Sequence, residues 1–121
     1  MEDIRELIAK TRLYYDRINR VWSPALNNFV YFTSEGRIHL LYKGNRKKRP
    51  VREQYYKLKL FPHAVSVLQK SKTIQDWRYT SSGIQYYAIV GMSSTKGPKL
   101  RVIVKRNGEG QFNYHSVMID S

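Results

Sequence analysis

A chain of 121 residues has the size of one ordinary domain and can bury a core without disulfide or metal staples. With no Cys, it has no disulfide framework, thiolate nucleophile or Cys-type zinc site, so any chemistry must come from His, Lys, Arg, Tyr, Ser or carboxylates. Its 22 Lys and Arg against 9 Asp and Glu give a formal charge of +13, which draws polyanions and makes nucleic acid the leading ligand class.

The absence of Cys fits a reducing cytoplasm. No apolar run approaches the roughly 18 residues that span a bilayer, and the first residues lack the pattern of a secretory leader. The expectation is a soluble, cytoplasmic, single-domain protein with no membrane partner.

Residues 1–21 read as a helix. Ile4, Leu7, Ile8, Tyr14 or Tyr15, Ile18 and Val21 recur at spacings of three or four, with Glu2, Asp3 and Glu6 in the first turn. Its polar face mixes Arg5, Lys10, Arg12, Arg17 and Arg20 with Glu6 and Asp16, which suits packing on a sheet better than lying on a membrane. Ser23-Pro24 ends it. Two β-rich runs, 29–33 and 37–42, then flank Ser34-Glu35-Gly36 and predict a hairpin. Alternation in the second run displays His39 on the face opposite Ile38, Leu40 and Tyr42.

From Lys43 to Pro50 five cations fall within eight residues, too dense a field to be buried. Extended to Lys59, the stretch carries Lys43, Arg46, Lys47, Lys48, Arg49, Arg52, Lys57 and Lys59 against Glu53 alone, more than half of the net charge. Such clustering favours a phosphate-gripping face. Val51, Tyr55 and Leu58 then mark a helix that Phe61-Pro62 kinks or restarts, with Ala64, Val65, Val67 and Leu68 as the stripe of a second short helix. His63, at that restart, reads as a surface or capping residue.

Beyond Thr73 the period changes to two. Strands are predicted over 74–79, 84–92, 99–106 and 111–119, an antiparallel meander broken by Ser81-Ser82-Gly83, residues 93–98 and residues 107–110. Leu100, Val102 and Val104 share one face, with Arg101, Ile103 and Lys105 behind them, so one face meets helices and the other carries cations. In the last strand His115 and Ser116 fall on opposite faces unless a bulge intervenes. There are no paired carboxylates, Gly-rich phosphate loop or metal-ligand spacing, and neither a metal nor a cofactor is expected.

Several short motifs, in order, resemble the phage and plasmid branch of the barnase, EndoU, colicin and RelE-like (BECR) nucleases. They are His39-Leu40, Lys43-Gly44, Arg49-Pro50, Glu53-Gln54, Lys59-Leu60-Phe61-Pro62, Tyr86-Tyr87-Ala88, Val102-Ile103-Val104-Lys105-Arg106 and Ser116-Val117-Met118, covering about residues 38–118. The resemblance implies an α+β fold: amino-terminal helices on one face of a mainly antiparallel four-stranded sheet, here with a short hairpin near residues 29–42. It also implies a metal-independent endoribonuclease, often a toxin of mobile elements with an acidic antitoxin or immunity protein as partner.

The matching polar positions are His39, Lys43, Arg49, Lys105 and Ser116. Arg106 stands beside Lys105 as an alternative, and His115 falls where the family has a bulky hydrophobe. In that reading His39 is base or acid for attack of a ribose 2′-hydroxyl, Arg49 and Lys105 neutralise phosphate charge, and Ser116 positions a phosphate oxygen. Lys43, Arg46, Lys47, Lys48, Arg52, Arg101 and Arg106 grip RNA, with His115 or a Tyr in reserve as a second acid or base. Two rivals remain. One is a non-catalytic RNA- or DNA-binding module in which Tyr31, Tyr42, Trp77, Tyr79, Tyr86 or Tyr87 stack on bases. The other is a basic phage-type interaction protein facing an acidic partner.

Overall fold

The computed structural model describes residues 3–43 and 47–120. Helix α1 (Ile4–Ile18) starts where the Asp3 carboxylate accepts the Arg5 amide, and it turns Leu7, Thr11 and Tyr15 inward at successive i+4 steps. It ends earlier than its apolar spacing predicts: Asn19 takes a left-handed conformation (φ 58°), and Val21 belongs to strand β1 (Arg20–Ser23). Residues 24–27, with Asn27 also left-handed (φ 51°), then turn the chain into β2 (Asn28–Tyr31), which pairs antiparallel with β1.

The hairpin therefore lies one element earlier than predicted, and the stretch around His39 is not a strand. Residues 34–39 form a short helix, α2 (Ser34–His39), with Gly36 buried in it. A Cβ at Gly36 would lie 2.5 Å from the Tyr114 carbonyl oxygen and 2.6 Å from the Tyr15 hydroxyl, so α2 packs where only glycine fits. That contact is non-local, and the β-rich composition of 37–42 conceals it.

A two-stranded ladder, β3 (Tyr42–Lys43) with β4 (Lys47–Lys48), leads into α3 (Val51–Lys70). Helix α3 is continuous, with Pro62 inside it, rather than two short helices. It buries Leu58, Phe61, Ala64, Val65 and Leu68 against the sheet. This burial offsets the missing hydrogen bond at Pro62.

Strands β5 (Asp76–Tyr79), β6 (Ile84–Met92), β7 (Lys99–Asn107) and β8 (Phe112–Ile119) form the predicted meander. The whole sheet has six strands in the order β1-β2-β8-β7-β6-β5. It is mixed, because β2 runs parallel to β8, pairing Val30 with Phe112 and Tyr31 with Asn113. The fold is α+β, with a larger and mixed sheet in place of the expected four-stranded antiparallel one. The core lies between α1, α3 and one sheet face, where Tyr15, Phe32, Phe61 and Tyr114 pack as an aromatic cluster with centroid separations of 5.2–6.3 Å. Among the described residues no helix is long and apolar enough to cross a membrane.

Candidate active site

Strand β8 contains the irregularity that builds the site. Its register with β7 shifts between Ile103, opposite Ser116, and Val104, opposite Tyr114, leaving His115 as the extra residue of a bulge. Strict alternation would bury Ser116 and expose Val117. The bulge resets the phase: Phe112, Tyr114 and Val117 are buried, while Asn113, His115, Ser116 and Met118 are only partly covered. His115 and Ser116 thus share the outer face with Arg101, Ile103 and Lys105.

Helix α2 packs against β8 and brings His39 to His115, with ring centroids 4.3 Å apart at 57°. Four residues earlier on the same helix face, the Glu35 carboxylate accepts from Lys105 Nζ at 2.7 Å. His39, His115, Glu35 and Lys105 therefore meet from three elements: α2, β7 and β8. Lys57, buried on α3, donates to the Val117 carbonyl just past the bulge and secures β8 to the helical layer.

Arg49 supports the site from behind. Its Nε donates to the His39 carbonyl at 3.0 Å, its guanidinium pairs with Glu53 at 2.7 Å, and its side chain is only 9% exposed. Its amide donates to the Leu41 carbonyl at 2.7 Å. These bonds hold the end of α2 in place and direct the guanidinium at Glu53.

The electrostatics follow from this crowding. Burial, then the Arg49 charge, lowers the His39 pKa. Burial, then the neighbouring His39, pushes His115 down to about 4. Lys57 is brought down to about 8 by burial and then by Arg49, whereas the hydrogen bond from Lys105 lowers Glu35. Both imidazoles are thus neutral bases at neutral pH beside a fixed cation.

The ligand atoms of Glu35, His39 and His115 all lie within 4.8 Å of one another, a donor set that a divalent transition metal can use. Lys105 already occupies the carboxylate, the charge of Lys57 acts on both rings and that of Arg49 on His39, so the local field is positive and better suited to an anion.

An open cleft of about 440 Å³ runs from His115 across the outer face, lined by Asp76, Arg78, Tyr86, Arg101, Ser116 and Met118. Of the sequence-derived candidates, His39, His115, Lys105 and Arg49 converge, and Ser116 and Arg101 line the adjoining cleft; Arg101 is bonded to Asp120 at 2.9 Å. Arg106 lies on the opposite face, its guanidinium 4.7 Å from the centre of the Phe112 ring, so Lys105 is the basic residue that reaches the site. Lys43, paired with Glu53 at 3.4 Å, and Lys47 and Lys48 are exposed on the small ladder, and Arg52 is exposed at the start of α3. Arg46 lies outside the described residues, and His63 is exposed on α3.

Glu35 had no sequence signal as a site residue, since it read as part of a turn. Only a helical reading of 34–39 would have put it on the His39 face. Asp76 and Arg78, on the edge strand β5, were likewise legible only once the sheet order was known. In comparisons with known proteins, the chain matches no family model, no curated protein and no solved structure.

Proposed function

We propose that the chain is a metal-independent endoribonuclease that cleaves RNA by 2′-hydroxyl attack, leaving a 2′,3′-cyclic phosphate. The observation that carries this reading is the facing pair His39 and His115 beside Lys105. Internal transesterification needs one group to take a proton, one to give a proton, and a cation for the phosphate.

One ring must be neutral and one protonated: His115, which lines the cleft, takes the neutral role, and His39, on the same helix face as the Glu35 carboxylate, the protonated one. His115 then accepts the proton of the ribose O2′ as that oxygen bonds to phosphorus. His39 delivers its proton to the departing O5′ as the P–O5′ bond breaks. Lys105 neutralises charge on the non-bridging oxygens, held in position by Glu35. Ser116, beside His115 on the cleft wall, donates to a phosphate oxygen, and Arg49 acts through His39 as a positioning residue. Lys43, Lys47, Lys48 and Arg52 supply the long-range attraction for the RNA backbone. A chain with this charge and activity would be restrained in a cell by an acidic protein partner.

The test is incubation with total RNA in EDTA. Cleavage that persists in the chelator, yields cyclic-phosphate ends and is lost in both His39→Ala and His115→Ala is expected; equal cleavage by either variant and the parent chain overturns the assignment. A second reading, a non-catalytic single-strand binder, is favoured by Trp77 and Tyr79, which are 55% and 62% exposed on edge strand β5. Binding without any cleavage would select it.

A further inference from the structure

We infer that the cleft beside His115 is a subsite for one unstacked nucleobase, so that the substrate is single-stranded RNA. This inference rests on the nuclease reading for its phosphate position and adds where the neighbouring base goes.

The sheet places the necessary groups in adjoining rows. Tyr86 is the direct register partner of Lys105 across β6 and β7, and its ring lies 5.4 Å from the His115 ring at 66°. One row further along, Ala88, Ile103 and Ser116 are aligned across three strands, followed by Val90, Arg101 and Met118. These rows make an apolar floor of half-buried Ile103 and Met118 with the buried Ala88 at its base, which the helices leave uncovered, and the Tyr86 ring stands at its head. Polar groups form the rim: Asp76 and Arg78 on β5, Arg101 on β7 and Ser116 on β8.

A volume of about 440 Å³ falls within the range of roughly 300–1,000 Å³ typical of small-molecule sites. An aromatic ring beside fixed cations is the usual platform for a base whose phosphate is gripped nearby. A base lying on Tyr86 and the apolar floor leaves its 3′-phosphate at His115, His39 and Lys105. Bases in a duplex are stacked on each other and cannot reach this floor, so the geometry selects unpaired RNA. Charge argues for the same occupant. Lys105 stands at the head of the cleft and the chain as a whole carries +13, while Arg78, 3.9 Å from Asp76, and Arg101, bonded to Asp120, line the rim as paired cations with N–H groups for a base edge.

The test measures binding without cleavage. Each of the four nucleoside 3′-monophosphates, and inorganic phosphate alone, is titrated into the full chain and followed by calorimetry. The nucleotides are expected to bind about 5- to 150-fold more tightly than phosphate, the gain that stacking of one base provides. Tyr86→Leu, which keeps the bulk but loses the aromatic face, should reduce them nearly to the phosphate value, whereas Tyr86→Phe should retain the gain. Arg106→Ala, on the opposite face, should leave the ratio unchanged.

In parallel, a single-stranded oligoribonucleotide should bind more tightly than a duplex of the same length, with the preference lost in Tyr86→Leu. Nucleotides that bind no better than phosphate, or equally well to Tyr86→Leu, overturn the subsite. So does a polyglutamate peptide that binds this face as tightly as the single strand and is insensitive to Tyr86, which would assign the face to an acidic protein. Nucleotide-selective binding with no RNA cleavage overturns the nuclease reading alone; cleavage without nucleotide-selective binding overturns the subsite alone.

Discussion

Two imidazoles with centroids 4.3 Å apart, both half-buried and both under the charges of Lys57 and Lys105, cannot both carry a proton at low cost. Activity that needs one protonated and one neutral ring should therefore peak below the ordinary His value of 6.5, then fall on the acid side as His115 protonates near pH 4. Initial rates at low substrate between pH 4 and pH 8 check this, and a maximum above pH 7 would exclude the pair as acid and base.

The same shifts affect stability. Both folded-state values lie below the unfolded one, so the unfolded chain takes up protons first as pH falls. The contribution is complete above about pH 6.5 and is lost progressively toward about pH 4. Melting temperature should drop over that interval, and His115→Phe should flatten the drop. Replacing either histidine with Ala should slow cleavage by about 10²- to 10⁴-fold, the usual cost of losing a general acid or base, with the fold retained by circular dichroism.

At the scale of elements, the juxtaposition of His39 and His115 depends on a six-residue helix and a one-residue bulge. Helix α2 has too few turns to be stable alone and is held by what surrounds it: Gly36 against Tyr114 and Tyr15, Leu40 in the core, and Arg49 on the His39 carbonyl. Gly36→Ala would place a methyl group 2.5 Å from the Tyr114 carbonyl oxygen, forcing α2 away from β8. We expect a loss of about 1–3 kcal/mol by chemical denaturation, together with a fall in cleavage as Glu35 and His39 move off Lys105 and His115. The bulge matters equally, because without it Ser116 would point into the core and Val117 into the cleft. Regular alternation placed the inward row of β7 correctly and failed in β8 from this extra residue onward. Pro62 is a comparable case, since the packing of Phe61, Ala64 and Val65 carries α3 through a residue that breaks isolated helices.

For the whole molecule the governing property is its charge. The cations divide into those fixed by partners, such as Arg49 on Glu53 and Arg101 on Asp120, and those displayed on the small ladder and the start of α3. The displayed group should dominate affinity for RNA through counterion release. With about four phosphate contacts, binding to a single-stranded oligomer should weaken roughly 50-fold between 50 and 200 mM salt. Fluorescence anisotropy across that range measures the slope, which should become shallower when Lys47 and Lys48 are both changed to Ala. A salt-independent affinity would mean that the basic face does not meet phosphates.

The sequence alone determined the strongly basic character of the chain, from its +13 net charge, and the helix-then-meander order, from hydrophobic periods of 3.6 and then two. These signals are local or additive along the chain, and so was the titratable His39 beside a basic loop; Lys105 and Ser116 were singled out only through the family resemblance. Tertiary structure decided that residues 34–39 are helical, that β2 joins β8 in parallel, and that a bulge turns Ser116 to the same face as His115. Each of these outcomes depends on contacts between residues distant in sequence, Gly36 with Tyr114 and Lys57 with Val117 among them. Side-chain propensity carries no information about such contacts, so the juxtaposition of Glu35, His39, Lys105 and His115 could be read only from the folded chain.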